Sequence, residues 1–285
     1  MRSAPHEVAG VREFLAGVAD ADGHPPLSEH KVTTLGREMS RVGVWSDAEG
    51  VCMVAVAALH AGQGHWAIEA ALAPRRREAI DEEEAIERAT GLISTGRAHS
   101  FWAFRPGQID AVGRLGYDEV RAVLRMSGPM PTAWVGSVPG VSIGPMAGSD
   151  VDAIVGVNNR AFAGHREQGS MTVDGLRSLM DLAWFDSAGV HLARSRERVV
   201  GFCVTKQEEP AVGEVHLLAV DPEHVGSGIG RALVQHGLSA LADRGVVTAQ
   251  AWVDAANHSA VGLYQSLGLA EDFRNREFAP AIGSS

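Results

Sequence analysis

The sequence predicts an α/β protein in which one unit occurs twice in tandem. Three observations carry that expectation. Predicted strands and helices follow the same order in both halves. A Pro-, Gly- and Ser-rich stretch, "MSGPMPTAWVGSVPGVSIGP" (126–145), separates them and reads as a linker. In the second half a glycine loop, "DPEHVGSGIGRALV" (221–234), stands between a predicted strand and a predicted helix. The boundaries expected from this are an N-terminal domain over 1–130, a linker over 131–140 and a C-terminal domain over 141–285.

In the second half, "RVVGFCVTKQ" and "GEVHLLAVDP" are rich in β-branched and apolar residues and read as strands. A helix is expected from about Gly228 through Asp243, with Leu233, Leu238 and Leu241 at helical spacing. "VVTAQAWVDA" reads as a strand, "NHSAVGLYQSLG" as a short helix ending at Gly268, and "RNREF" as a closing strand. The first half gives "GVCMVAVAAL", "HWAIEAALAP", the helix "DEEEAIERATGLISTG", "HSFWAF" and "IDAVGRLGYDEV". "AVGRLGY" (111–117) echoes "AVGLYQSLGL" (260–269), and this local match supports an ancient duplication.

Bulk properties narrow the function classes. The net charge is −10, and Lys31 and Lys206 are the chain's lysines, so the basic side chains are nearly all arginine. An acidic chain without a long basic stripe is not expected to bind nucleic acid. No apolar run reaches about 18 residues, which argues against a membrane span. The start "MRSAPHEVAGVREFLAG" has neither a long apolar core nor a cleavage-like site, so a cytoplasmic protein is expected. Cys52 and Cys203 sit in separate apolar runs and read as buried, reduced thiols. The histidines, among them His165, His191, His224, His236 and His258, show no metal-ligand spacing, and "HAGQGH" (60–65) lacks a third ligand, so no metal is expected.

The glycine loop is the informative motif. Glycines at 226, 228 and 230 remove side chains where the backbone bends or approaches a ligand, and the helix start beyond them offers unpaired N–H groups and a positive dipole end. That combination suits a phosphate. A dinucleotide-binding fingerprint would need glycine at 231, where Arg231 stands, and an ATPase loop would need Gly-Lys-Ser/Thr, which is absent. The first half has "RRREAIDEEEAIERA" after Pro74 instead, with Asp81 through Glu84 where an anion would approach. Like charges repel there, although the same acids also suit the start of any solvated helix.

The G-x-G-x-G spacing after "VDP", followed by "NHSAVGLYQSLGL", resembles the acyl-CoA site of the Gcn5-related N-acetyltransferases (GNAT). The resemblance implies two tandem GNAT domains, each a mixed, mostly antiparallel sheet flanked by helices, the first degenerate and the second catalytic. It implies acetyl-CoA as co-substrate, held by Leu218, Ala219, Val220, Val225, Gly226, Ser227, Gly228, Ile229, Gly230, Arg231, Asn257, Ser259 and Ala260. The loop's usual leading Gln or Arg is Val225 here, and weakened rather than abolished binding follows from that.

Within that superfamily, "VNNRAFAGHREQGSMT" (157–172), "WFDSAGVHLA" (184–193), "GFCVTK" (201–206) and "GEVHLLAVDP" (213–222) resemble the mycothiol synthases. The likeness continues more thinly through "SEHKVTTLG", "FWAF" and "LGYDEVRAVLRM". It implies a monomer that acetylates the cysteinyl amine of a small-molecule acceptor, Cys-GlcN-Ins. Glu214 would be the base, through water, and Tyr264 the acid that protonates the departing thiolate. Acceptor contacts carried over by position are Glu29, Glu167, Lys206, Glu214 and Trp252. An α-amine titrates near ~8, so a modest base suffices, and direct attack needs no covalent enzyme intermediate. His216 is an alternative base, two residues from Glu214 and so on the same strand face by a period of two. Three departures surround this pocket: Trp252 and His216 each replace a usual Tyr, and the "TKQEEPAVGE" loop is short. They leave a second reading open, acetylation of an antibiotic amine, an amino sugar or a peptide N-terminus. A third, from another class, is a CoA-binding module without catalysis.

Overall fold

A computed structural model describes residues 5–28, 31–32, 40–60, 64–77, 81–94, 97–131, 137–164 and 169–281. The chain divides into two compact units, Met1–Ala122 with Asn275–Ser285, and Val123–Arg274.

The first unit contains α1 (Pro5–Asp22), β1 (Ser40–Asp47), β2 (Gly50–His60), β3 (His65–Leu72), α2 (Glu82–Thr90), β4 (His99–Ala103) and α3 (Pro106–Arg114). Its sheet runs β1-β2-β3-β4 and then the end of β11 (Ala270–Pro280). All neighbours are antiparallel except β3 and β4, whose parallel ladder runs from Trp66↔His99 to Glu69↔Trp102. One face packs Ile68, Leu72 and Phe101 against Ile86 of α2, and the other packs Val54, Val56 and Ala71 against Val11 and Leu15 of α1.

The second unit begins within β5 (Tyr117–Pro129). It continues through β6 (Val141–Pro145), α4 (Val151–Ala161), α5 (Val173–Met180), β7 (Val190–Ser195), β8 (Arg198–Glu209) and β9 (Val212–Val220). It ends with α6 (Ile229–Ala242), β10 (Thr248–Asp254), α7 (His258–Ser266) and the start of β11. Its sheet order is β6-β7-β8-β9-β10-β5. Again one neighbouring pair is parallel, β9 with β10, and the rest are antiparallel. The repeated order, including the position of the parallel pair, is the duplication seen in the sequence.

The amphipathic pattern read from Leu233, Leu238 and Leu241 holds, for all three are buried under α6. Burying each contributes roughly 1.5–3 kcal/mol. Cys52 and Cys203 are free and buried, as expected. Among the described residues no helix is long and apolar enough to cross a membrane.

The unit boundaries differ from those read off the sequence. Leu124 and Met126, placed before or within the linker, lie in the second unit's core, where Val123–Pro129 pairs with Thr248–Asp254. Conversely, Arg276–Phe278 pairs with Phe101–Ala103, and Phe278 lies in the first unit's core. Each half therefore supplies a strand to the other half's sheet. The proline-rich composition of 126–145 also hid two strand segments, since Pro129 and Pro145 stand at strand ends, where a missing N–H costs least.

Candidate active site

The site is built on one irregularity in β9. Val204 of β8 pairs with Leu217, but the next residue, Thr205, pairs with Val215, so His216 is an extra residue, a β-bulge. The bulge inverts the strand's facing. Val215 packs in the core under α6, whereas Ala219, four residues on, packs on the opposite face with Ile154, Val157 and Leu176 of α4 and α5. The parallel ladder with β10 ends at the same point. Its last pair is Val215↔Ala251, although the strands run on to Val220 and Asp254. The two strands separate there, and the β10-facing peptide groups of 216–220 have no ladder partner. A bulge bends its strand and increases local twist, which accounts for the parting.

Residues in register across the strands share a face. Lys206 of β8 lies opposite Glu214, Glu214 opposite Gln250 of β10, and Trp252 opposite Arg125 of β5. Glu214 is mostly buried. Its Oε1 accepts a hydrogen bond from His216 Nδ1 at 2.8 Å and its Oε2 one from Gln250 Nε2 at 3.2 Å. Burial pushes the Glu214 carboxyl up, but the bond and charge of His216, the Lys206 ammonium and the Gln250 bond outweigh it. The net shift is downward, so Glu214 is an anion. The His216 ring meets Trp184 edge-on at 4.6 Å, and Lys206 Nζ lies 4.9 Å from the same indole's centre. The two bases considered from the sequence are thus bonded to each other. They do not share a face by strand period, since the bulge breaks that period, but the side chains still converge.

Tyr264 belongs to α7 and to the core on the α6 side of the sheet. Burial, above all, raises its hydroxyl above the ordinary phenol range, and Cys203 and Glu214 add to this.

The glycine loop stands at the far end of β9. Asp221 is buried, and its Oδ2 accepts from Arg160 Nε and Nη2 at 2.9 and 2.8 Å. Asp221, Glu223 and His224 bring ligand atoms within 4.8 Å of one another, yet the Oδ2 contacts of Arg160 and Arg198 give Asp221 a different role, anchoring the loop. Gly226 and Gly228 have φ of 81° and 88°, a left-handed conformation that side chains disfavour. Val225, Ser227 and both glycines are exposed, and the side chain of Ile229 is buried as the helix's anchor. A Cβ at Gly230 would meet Val220 and Leu263 at ordinary distances of 3.6 and 3.9 Å, so the protein's own packing does not demand glycine there.

No side chain caps α6 and no acid lies in its first turn. The first-turn N–H groups of this 14-residue helix therefore have no side-chain cap, a chemistry that suits an anion. The corresponding helix of the first unit is closed. Asp81 caps α2 by accepting from the Glu83 N–H, and Glu82, Glu83 and Glu84 pair with Arg105, Arg114 and Arg88.

Arg231 donates to Ser266 Oγ at 2.6 Å, at the end of α7. Asn257 caps α7 through a bond from the Ala260 N–H at 3.1 Å, and Ser259 is exposed in its first turn. Trp252 lies edge-on to Phe273 at 5.7 Å, with the Arg125 guanidinium near both rings and Arg125 paired to Asp272. Glu29 and Glu167 lie outside the described residues. Sequence reasoning assigned no role to Trp184 or Gln250. The first lay inside a quoted motif, and the second becomes visible only through its register with Glu214.

Asp221→Asn is expected to loosen the loop and raise the KM for the ligand it holds. Burial alone would raise the Asp221 carboxyl, but the Arg160 bonds win and hold it low. A carboxylate held below its unfolded value of ~3.9 stabilises above that pH and loses its contribution as pH falls through the lower folded value. The Tm gap between parent and Asp221→Asn should therefore be constant near neutrality and close on acidification below about pH 4.

Residues 160–269 match the Acetyltransferase (GNAT) family. The chain is 36% identical over 272 residues to a mycothiol acetyltransferase of Thermomonospora curvata, covering 92% of this chain and 90% of that protein. It is 34% identical over 273 residues to one from Nocardia farcinica, covering 91% and 89%. Among solved structures, a tandem GNAT protein from the clavulanic acid biosynthesis pathway superposes with a TM-score of 0.75 at 15% identity, over 100% of this chain and 98% of that one. A GCN5-related N-acetyltransferase from Sphaerobacter thermophilus gives 0.72 at 20% identity, over 99% and 96%. At these identities the structural likeness speaks for the fold.

Proposed function

Because this chain belongs to the mycothiol acetyltransferase family of GNAT enzymes, we propose that it moves acetyl from acetyl-CoA to the cysteinyl amine of Cys-GlcN-Ins, giving mycothiol. That it is an acyltransferase follows from the family; the acceptor and the residue roles are our reading. The observation that carries the roles is the parting of β9 and β10 after Val215 and Ala251, with Tyr264 in the core that holds Val215 and Glu214, the next residue along the strand, on the other face.

The diphosphate of CoA sits on the amides of Gly228 through Arg231, where partial positive charge is already aligned. The pantetheine arm runs along Leu218, Ala219 and Val220, bonding to peptide groups that have no ladder partner. The thioester then enters the gap. The acceptor approaches across the face that bears Lys206, Glu214 and Trp252. Its neutral nitrogen attacks the carbonyl carbon, and a β9 amide receives the developing oxyanion. The proton leaves toward the basic pole made by Glu214 and its partner His216. Tyr264, held protonated by burial, donates to the departing sulfur. Lys206 donates to acceptor hydroxyls, and Glu29 and Glu167 join the acceptor side by position in the sequence. Asn257, Ser259 and Ala260 border the cofactor at the start of α7. The first unit, with its capped α2, is structural. The same reading makes this a cytoplasmic enzyme with a small-molecule acceptor.

A second reading has one observation in its favour. Trp252 is bulky, exposed and locked in a cluster with Arg125, Phe273 and Asp272, a surface that fits a different amine. Purified protein with acetyl-CoA and a panel of amines tests both. Cys-GlcN-Ins is expected to be acetylated with the highest kcat/KM. Preference for an antibiotic amine, an amino sugar or a peptide N-terminus would replace the acceptor, and CoA binding with no acetyl transfer would end the enzymatic reading.

A further inference from the structure

We propose that His216 is the group that takes the amine's proton, with Glu214 acting as its positioning residue. This rests on the acetyl-transfer reading above and names where the proton goes. Three features of the site carry it. First, His216 is the bulged residue at the point where β9 leaves β10, so it stands at the mouth of the gap rather than along a regular strand. Bulges re-aim side chains at such places. Second, its Nδ1 lies 2.8 Å from Glu214 Oε1. An ionised carboxylate only accepts, so the proton of that bond belongs to Nδ1, and the neutral ring carries its lone pair on Nε2. Third, Glu214 is occupied at both ends. One oxygen accepts from His216 and the other from Gln250.

The ring is also fixed in angle by Trp184, whose indole it meets edge-on at 61°. Among the described residues, the charged groups that meet it or its Trp184 neighbour are Glu214 on β9 and Lys206 on β8. The arrangement is that of a carboxylate-oriented imidazole base, in which the carboxylate fixes the tautomer and stabilises the imidazolium without itself taking the proton.

The step balances with groups on the page. The nitrogen lone pair forms the N–C bond, and the N–H pair stays on nitrogen as its proton passes to His216 Nε2. The C–S pair leaves with sulfur, which takes the Tyr264 proton. The imidazolium returns one proton and the phenolate gains one through solvent, leaving amide and free CoA.

The test uses the full chain, acetyl-CoA and whichever amine the parent acetylates. His216→Gln is expected to lower kcat by about a hundredfold or more, with the acetyl-CoA KM unchanged. Added imidazole should restore part of the rate to His216→Ala. Glu214→Gln, which keeps a side-chain oxygen to accept from Nδ1, should lower kcat less, again with the acetyl-CoA KM unchanged. His216→Asn run in parallel guards against loss of folding in one variant. A parental rate in folded His216→Gln, with the rate lost in Glu214→Gln, would overturn the proposal and make Glu214 the proton acceptor. A parent that acetylates no amine would instead overturn the acetyl-transfer reading, and the proposal with it.

Discussion

Tyr264→Phe is expected to lower kcat about 10²- to 10³-fold while leaving acetyl-CoA binding and thermal stability near the parent's. The side chain is buried in the α6-side core, so phenylalanine keeps the packing and removes only the hydroxyl. The hydroxyl has a raised affinity for its proton through burial, and it therefore stays a donor across the working pH range. Without it, the sulfur must leave as an unprotonated thiolate into a poorly solvated gap. The loss should shrink for acyl donors with a more acidic leaving thiol, which need less help. Steady-state rates with two such donors check this. An unchanged kcat in Tyr264→Phe would reduce the residue to a packing role.

Gly228→Val is the second large effect. At a φ of 88° a β-branched side chain is strained by about 1–2 kcal/mol, and the chain will rotate to relieve it. That rotation moves the start of α6, whose amides are the proposed diphosphate ligands. Charge-assisted hydrogen bonds are worth about 1.5–3 kcal/mol each, so losing one should raise the acetyl-CoA KM ten- to a hundredfold. Gly230→Ala separates ligand from fold. Its Cβ meets only ordinary contacts, so Tm should hold or rise while acetyl-CoA binding weakens.

Much of this was legible in the chain. Strand and helix order, the buried leucines of α6 and the left-handed glycines follow from local pattern and backbone sterics. The bend of the glycine loop was legible because it is written in consecutive residues. Domain boundaries were not, because proline and glycine between 126 and 145 mark punctuation but not which sheet a flanking strand joins. Strand partnership is a long-range choice, and Leu124, Met126 and Phe278 show it only once paired. The bulge at His216 was equally hidden. "GEVHLLAV" reads as an unbroken strand, and a period of two puts Glu214 and His216 side by side. The pairing of Val204 and Thr205 with Leu217 and Val215 is what reveals the extra residue. Gln250 owes its place to its register with Glu214, and Trp184 to its edge-on contact with His216.

The central claim is that the amides at the start of α6 hold the diphosphate of the acyl carrier and so aim its thioester into the gap between β9 and β10. The most direct test compares kcat/KM for acetyl-CoA with that for S-acetylpantetheine, which lacks the diphosphate, in the parent and in Gly228→Val. The parent should prefer acetyl-CoA by a factor of ten or more, and Gly228→Val should lose most of that preference by failing with acetyl-CoA alone. Equal use of both donors by the parent, or a preference that survives the substitution, would contradict the account.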